Sequence, residues 1–243
     1  MTKKVLITGG AKGLGRSIAC EFASHGYDVT ITYNESEAES RELKRYLDDN
    51  FAGDHSIMKL NLKDEQSCRE LAHRFDSLDI LINNAATNED KNYDEFTVDD
   101  FLDTYRVNLI GPYLLSMAFK TLLDISHGSI VNIASTNGID SMYKESIPYD
   151  ASKSALINLT KNLSVALAPN IRVNAVAPGW IVTDATEDME PAFKLSVENK
   201  NLFHRFASPE EIAKTVYFVA SDDASFMTGS IIRIDGGNRY GNR

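Results

Sequence analysis

Seven short apolar runs rich in β-branched residues punctuate the chain, at Val5–Thr8, Val29–Tyr33, Ser56–Leu60, Ile80–Ile82, Ser129–Ala134, Arg172–Ala177 and Ile231–Ile234. A helical pattern lies in each gap between them, over about 14–25, 35–50, 64–74, 97–123, 149–168 and 209–221. Most of the runs are continuous rather than alternating, as strands covered on both faces of a parallel sheet must be. Regular alternation of strand and helix predicts an α/β fold: a doubly wound, seven-stranded parallel sheet with helices on both faces. Thr97 with Asp100, and Ser208-Pro209-Glu210-Glu211, read as capped helix starts. No linker, repeat or low-complexity stretch interrupts the pattern, so residues 1–243 read as one domain. The less regular stretches 86–96, 136–148 and 184–208 follow the fourth, fifth and sixth runs. They should therefore share the rim at the carboxyl ends of the strands, where such sheets bind their ligands.

The first run opens into VLITGGAKGLGRSIA, residues 5–19, with four glycines in seven positions. Two well-known nucleotide loops are close to this spacing, and neither fits. GxGxxG fails because Ile18 stands in the third glycine place. Gly10-xxxx-Gly15-Arg16-Ser17 departs from the phosphate loop by Arg for Lys, and the two cations are not equivalent there. A phosphate loop would also want an acid ending a later strand, whereas Ile80–Ile82 leads into Asn83-Asn84. What remains is Thr8-Gly9-xxx-Gly13-x-Gly15, a strand-to-helix turn whose glycines let backbone approach a pyrophosphate at a helix N-terminus.

Composition narrows the alternatives. A net charge of −10 argues against a general nucleic-acid binder, which needs clustered Lys and Arg. Cys20 and Cys68 are the only cysteines, so a disulfide framework is not expected and a reducing compartment is. The histidines at 25, 55, 73, 127 and 204 are scattered with no metal-ligand spacing. Neither a secretory signal nor a run long enough to span a membrane is visible, so a cytoplasmic, soluble protein is expected.

Further marks follow the glycine turn in a fixed order: Asn83-Asn84-Ala85-Ala86, Asn108 in Tyr-Arg-Val-Asn, Ser135 at the end of Val-Asn-Ile-Ala-Ser, Tyr149-xxx-Lys153, Pro178-Gly179-xxx-Thr183 and Asp235-Gly236-Gly237. Any one of them could arise by chance; the set in this order resembles the short-chain dehydrogenases/reductases, Rossmann-fold oxidoreductases, over nearly the whole chain. The chain departs from the family's NNAG by Ala86 in the glycine place. The resemblance implies hydride transfer between a nicotinamide and a carbonyl or secondary alcohol. Tyr149 would be the acid/base, Ser135 would orient the substrate oxygen, Lys153 would hold the nicotinamide ribose, and Asn108 would position a relay water. Tyr149 and Lys153, four apart on a helix, share a face. A free phenol titrates near 10, so work at neutrality asks for a lowering of about three pH units, roughly 4 kcal/mol. The Lys153 ammonium and an oxidised nicotinamide are the charges expected to supply it.

The resemblance also places the cofactor, on Gly9, Lys12, Gly13, Leu14, Gly15, Tyr33, Asn34, Ser36, Asn61, Leu62, Asn84, Ala85, Ala86, Pro178, Gly179, Ile181 and Thr183 together with Tyr149 and Lys153. NADP(H) is expected over NAD(H). The second run ends in Tyr33-Asn34, not in the carboxylate that takes ribose hydroxyls, and Lys12 suits an adenosine 2′-phosphate. Glu35 argues the other way. For substrate, the overall pattern is similar to 3-oxoacyl-acyl-carrier-protein reductases and related carbonyl reductases. Carrier-binding neighbourhoods should be basic, yet Asp124-Ile-Ser-His127 and Ala168-Pro-Asn170 hold no Lys or Arg, leaving Lys144, Lys194 and Arg205 to serve. A lid over about 184–208 and pocket positions at Tyr93, Met142, Tyr143 and Trp180 are expected. A sugar or other small-molecule dehydrogenase using NAD, and a non-catalytic NADPH-sensing member, are the alternatives. Family members assemble through helices such as 97–123 and 149–168, so a homotetramer or homodimer is expected.

Overall fold

The computed structural model describes residues 2–140, 142–183, 186 and 188–237. Its strands are β1 Lys4–Ile7, β2 Asp28–Tyr33, β3 Ser56–Lys59, β4 Ile80–Asn83, β5 Ser129–Ile133, β6 Arg172–Pro178 and β7 Ile231–Ile234. They form one parallel sheet in the order β3-β2-β1-β4-β5-β6-β7. The order reverses between β1 and β4, so a crevice opens at their carboxyl ends.

Alternation along β1 shows why both faces are apolar. Val5 and Ile7 join a core with Phe22 of α1 (Gly13–Ser24), Leu43 of α2 (Glu37–Asn50) and Val216 of a later helix, Pro209–Ala220. Leu6 turns the other way, into a core with Leu71 of α3 (Glu65–Ala72) and with residues of the central and long helices. Val5, Leu6 and Ile7 are thus fully buried, alternating between the two layers.

The expected helix over 97–123 is broken. It comprises α4 (Val98–Tyr105), a single π turn (Arg106–Ile110), α5 (Gly111–Ala118) and, after Phe119, α6 (Lys120–Ser126). Pro112 explains the π turn: it has no N–H to donate to the Asn108 carbonyl, and Gly111 N–H reaches back to Arg106 instead. The long helix expected at 149–168 is α7, Ile147–Ala166, with Pro148 in its first turn. The stretch 184–208, read as irregular, contains α8 (Pro191–Glu198), started by the Glu190 carboxylate accepting from the amides of Ala192 and Phe193. Positions 184, 185 and 187 of that expected lid lie outside the described residues. Helix α9 (Pro209–Ala220) starts at the expected cap Ser208 and α4 at the expected cap Thr97, and each cap is completed into a capping box, by Glu211 and by Asp100. At the far end of α9, Arg172 of β6 donates to the carbonyls of Val219, Ala220 and Ser221, and to that of Met227, so one guanidinium covers the helix C-terminus.

Candidate active site

The crevice is laced across the β1–β4 reversal. Thr8 Oγ1 accepts from the amides of Asn84 (3.0 Å) and Ala85 (2.9 Å), and Asn84 Nδ2 donates to the carbonyls of Thr8 (2.9 Å) and Gly9 (3.1 Å). Asn84 thereby holds the glycine turn in place from the neighbouring strand. Gly9 and Gly13 have φ of 63° and 49°. A Cβ on Gly15 would stand 2.3 Å from the Gly9 carbonyl oxygen and 2.7 Å from Asn84 Nδ2. The first turn of α1 carries no acid, and its cap residue Lys12 makes no side-chain capping bond. A close-packed glycine cradle leading into a helix end of this kind suits a pyrophosphate. Residues 178–183 arch over it: a Cβ on Gly13 would meet Thr183 Cγ2 at 3.7 Å, and Thr186 Oγ1 accepts from Thr183 N–H at 2.7 Å. Gly179 N–H donates to Ile234, and Ile181 bridges to Ala207, which anchors the arch at both sides. Leu14 packs toward the first core.

The other cofactor positions lie at the ends of β2, β3 and β4. Tyr33 closes β2, Asn34 is exposed beyond it and Ser36 precedes α2. Asn61 follows β3 and caps the Lys63 amide at 3.0 Å, while buried Leu62 packs on Gly111. Ala85 is half-buried and Ala86 exposed. Lys12 is at the expected place beside the start of α2, but it is paired with Glu39 at 2.5 Å. Lys12 holds the Glu39 carboxyl below its usual range. Glu35, the carboxylate weighed from sequence, is exposed. Glu39 was missed because pairing between a turn and the next helix leaves no mark in spacing.

Ser135, Tyr149, Lys153 and Asn108 come together from β5, α7 and the π turn. Ser135 follows β5 and hydrogen-bonds the Tyr149 phenol, while its Oγ accepts from Asn137 N–H at 3.1 Å. Lys153 is 2% exposed; its Nζ donates to the Ile133 carbonyl at 2.7 Å and lies 5.4 Å from the Tyr149 ring centre. Asn108 is buried in the π turn, its Nδ2 donating to Thr87 O (2.9 Å) and Ser152 Oγ (3.0 Å) and its Oδ1 accepting from Thr87 N–H (2.8 Å). The side chain expected to position a water is thus tied to the 86–88 loop and to α7.

Electrostatics differ from the expectation in one respect. Burial pushes the Tyr149 phenol up to about 12, against the lowering effect of the Ser135 hydrogen bond and with Asp150 adding to the rise. Burial also brings the Lys153 ammonium down to about 8. The protein's own groups therefore keep the phenol protonated at neutrality, the form that donates a proton.

Of the four pocket positions, Tyr143 and Trp180 meet. Trp180 Nε1 donates to Tyr143 Oη at 3.0 Å, their rings edge to face at 5.6 Å. Phe206 stacks on Trp180 at 5.6 Å and Phe193 of α8 meets its edge at 6.2 Å, so an aromatic wall links residues 143, 180, 193 and 206. Phe206 was not anticipated. Met142 and Tyr93 are exposed, at 86% and 61%, and are not brought into that wall. A cavity of about 80 Å³ lies beside Tyr149, bounded by Thr87, Asn88, Phe96 and Pro148 among others.

Residues 9–239 match a family model described as enoyl-(acyl carrier protein) reductase. The chain is 35% identical over 241 residues to the 3-oxoacyl-[acyl-carrier-protein] reductase FabG of Aquifex aeolicus, covering 97% of this chain and 96% of that protein. It is 36% identical over 250 residues to the protein of the same name from Staphylococcus aureus, covering 98% of each. Among solved structures, acetoin dehydrogenase YohF from Salmonella typhimurium matches with a TM-score of 0.87 at 28% identity, over 98% of this chain and 96% of that one. A mutant of a Serratia marcescens short-chain dehydrogenase/reductase matches with a TM-score of 0.89 at 30% identity, over 97% of each.

Proposed function

The chain belongs to the short-chain dehydrogenase/reductase family, oxidoreductases acting on carbonyl and alcohol groups, and from that premise we propose that it is an NADPH-dependent reductase of small carbonyl compounds. The observation that carries the reading is the Ser135–Tyr149–Lys153 cluster, with buried Lys153 fixed on the Ile133 carbonyl 5.4 Å from the Tyr149 ring. The reduced nicotinamide supplies the hydride when bound. Tyr149 Oη gives the proton to the substrate oxygen, and Ser135 Oγ donates a hydrogen bond that orients it. Lys153 holds the nicotinamide ribose, with Ile181 and Thr183 against the carboxamide. Because the Asn108 side chain is engaged, the relay water falls to its main-chain carbonyl, the group that Pro112 cannot bond. We read residues 1–243 as one domain carrying both sites, the lid near 184–208, assembled as a homodimer or homotetramer. Among the described residues no helix is long and apolar enough to cross a membrane.

The NADPH preference rests on Lys12. A 2′-phosphate at the end of β2 competes with Glu39 for that ammonium, and its higher charge favours the phosphate. Lys12→Ala should weaken NADPH about tenfold, the loss of roughly 1.4 kcal/mol, and leave NADH within about twofold. Titration of both cofactors reads this; unchanged NADPH affinity would remove the basis for the preference.

The similar relatives are named for an acyl-carrier-protein substrate, yet the cations this chain offers near the mouth are engaged. Arg205 pairs with Glu211 at 2.7 Å, Lys194 lies 5.7 Å over the Phe206 ring and Lys144 is 3.7 Å from Glu145. A free substrate is favoured over a carrier-bound one. The test is NADPH oxidation with an acetoacetyl thioester, the same acyl group on a carrier protein, 2,3-butanedione and small sugars. Turnover of the free thioester or diketone, with no gain from the carrier, is expected. No turnover on any would favour a non-catalytic NADPH-sensing protein.

A further inference from the structure

The described residues of the segment 136–146, between β5 and α7, are fastened to α7 at three points. A Cβ on Gly138 would stand 2.6 Å from the Lys153 carbonyl carbon, so the turn lies backbone to backbone on the helix. Ser154 Oγ donates to the Gly138 carbonyl at 2.9 Å. The third point is Asp150, the residue after Tyr149. Its Oδ1 accepts from Asn137 Nδ2 at 2.6 Å and from Ser146 Oγ at 3.3 Å, and its Oδ2 accepts from Tyr143 N–H at 3.0 Å.

Two of these donors lead directly into the site. Asn137 turns its own N–H onto Ser135 Oγ, and Ser135 hydrogen-bonds Tyr149. Since Tyr149 and Asp150 are consecutive, Tyr149, Asp150, Asn137 and Ser135 form a closed ring. Tyr143 carries the hydroxyl that accepts from Trp180, so the same carboxylate also sets the aromatic wall. Three donors converge on Asp150, and only a carboxylate offers acceptors at both oxygens; an amide would turn an N–H toward one of the donors.

We propose that Asp150 is a positioning residue: without touching substrate, its carboxylate fixes the Ser135 hydroxyl relative to Tyr149 and the Tyr143–Trp180 wall relative to both. Its effect on rate rests on the reading of Tyr149 as proton donor; its effect on the wall does not. Placing a hydroxyl within an ångström of its working position is worth up to about a hundredfold in rate, so the loss should fall on kcat.

Trp180 is the only tryptophan, so its emission reports the wall without any substrate. In the full chain, Asp150→Asn should shift Trp180 emission to the red. It should lower kcat about thirtyfold on whichever test carbonyl the wild type reduces, and leave NADPH affinity within about twofold. Asn137→Ala should give a similar kcat loss, and the double variant little more, because both break one chain. Exchanging the pair, Asn137→Asp with Asp150→Asn, reverses donor and acceptor and should recover about tenfold in kcat. Should Asp150→Asn not fold, Asn137→Ala and the exchanged pair carry the test. Unchanged Trp180 emission, a kcat within about twofold of wild type, or a kcat loss matched by an equal loss of NADPH affinity with no recovery in the exchanged pair overturns the proposal. A wild type that reduces none of the carbonyls counts against the proposed reductase activity and leaves Trp180 emission to decide on Asp150.

Discussion

Tyr149→Phe should lower carbonyl reduction at least about a thousandfold, some 4 kcal/mol of transition-state stabilisation, while NADPH still binds. The substitution removes one oxygen and keeps the ring that packs over Lys153 Nζ, so α7 has no reason to move. What is lost is the proton that the substrate oxygen must gain as hydride arrives. Ser135 cannot replace it: its hydroxyl can orient the oxygen, but serine is a far weaker acid than a phenol, and Lys153 is directed at the Ile133 carbonyl. Burial that lifts the phenol to about 12 also sets the pH dependence. In reduction the protonated form is required, and it is present throughout the neutral range. In alcohol oxidation the phenolate is required, so that rate should climb as pH rises toward the phenol's pKa. Steady-state rates in both directions, with NADPH titrated by fluorescence, provide the check. Retention of more than a few per cent of reduction would overturn the assignment.

The strands were legible nearly to the residue, because in a parallel sheet buried on both faces the β-branched run and the strand are the same object. β7 begins and ends where its run does, β4 runs one residue further, and β1 is shifted by one residue at both ends. The glycine turn was legible because a Cβ at Gly15 has no space, and the sequence displays that as a run of glycines. The kink at Asn108 was less so. Its cause, Pro112, is visible in the chain, but a helix pattern over 97–123 remains amphipathic through a single wide turn, so periodicity ran across it. α8 likewise had its signal, Glu190-Pro191, inside a stretch judged by its irregular polarity.

Contacts between separate elements were not legible at all. Nothing in the letters sets Lys12 against Glu39, or Asp150 against Asn137, since those pairs are made by how α2 meets the turn and how residues 136–138 lie on α7. The phenol's environment failed to follow from sequence for the same reason. Tyr149 and Lys153 were recognisable as a pair four apart, but the burial that raises the phenol and lowers the ammonium depends on β5, the π turn and the 86–88 loop closing around them.

That contrast between a legible turn and illegible contacts makes Gly15 the sharpest probe of the cofactor cradle. Gly15→Ala should weaken NADPH at least about a hundredfold, close to 3 kcal/mol, and lower the melting temperature by several degrees. The added methyl would stand 2.3 Å from the Gly9 oxygen, 2.7 Å from Asn84 Nδ2 and 2.9 Å from Gly10 Cα. Two of these are backbone atoms, so no rotamer change relieves the clash. Gly10 cannot retreat either, because its own Cα faces the Ile31 side chain so closely that a Cβ there would lie 2.5 Å from it. The turn must therefore swing away from Asn84, breaking the bonds from Asn84 Nδ2 to the Thr8 and Gly9 carbonyls that align β1 with β4. Strain of about 1–3 kcal/mol follows in the protein alone. The larger loss falls on binding, because the displaced turn no longer aims the first amides of α1 at a common point. Calorimetric titration alongside thermal melts separates the two. A folded variant that keeps NADPH within about threefold of wild type would mean that the pyrophosphate does not lie on this turn.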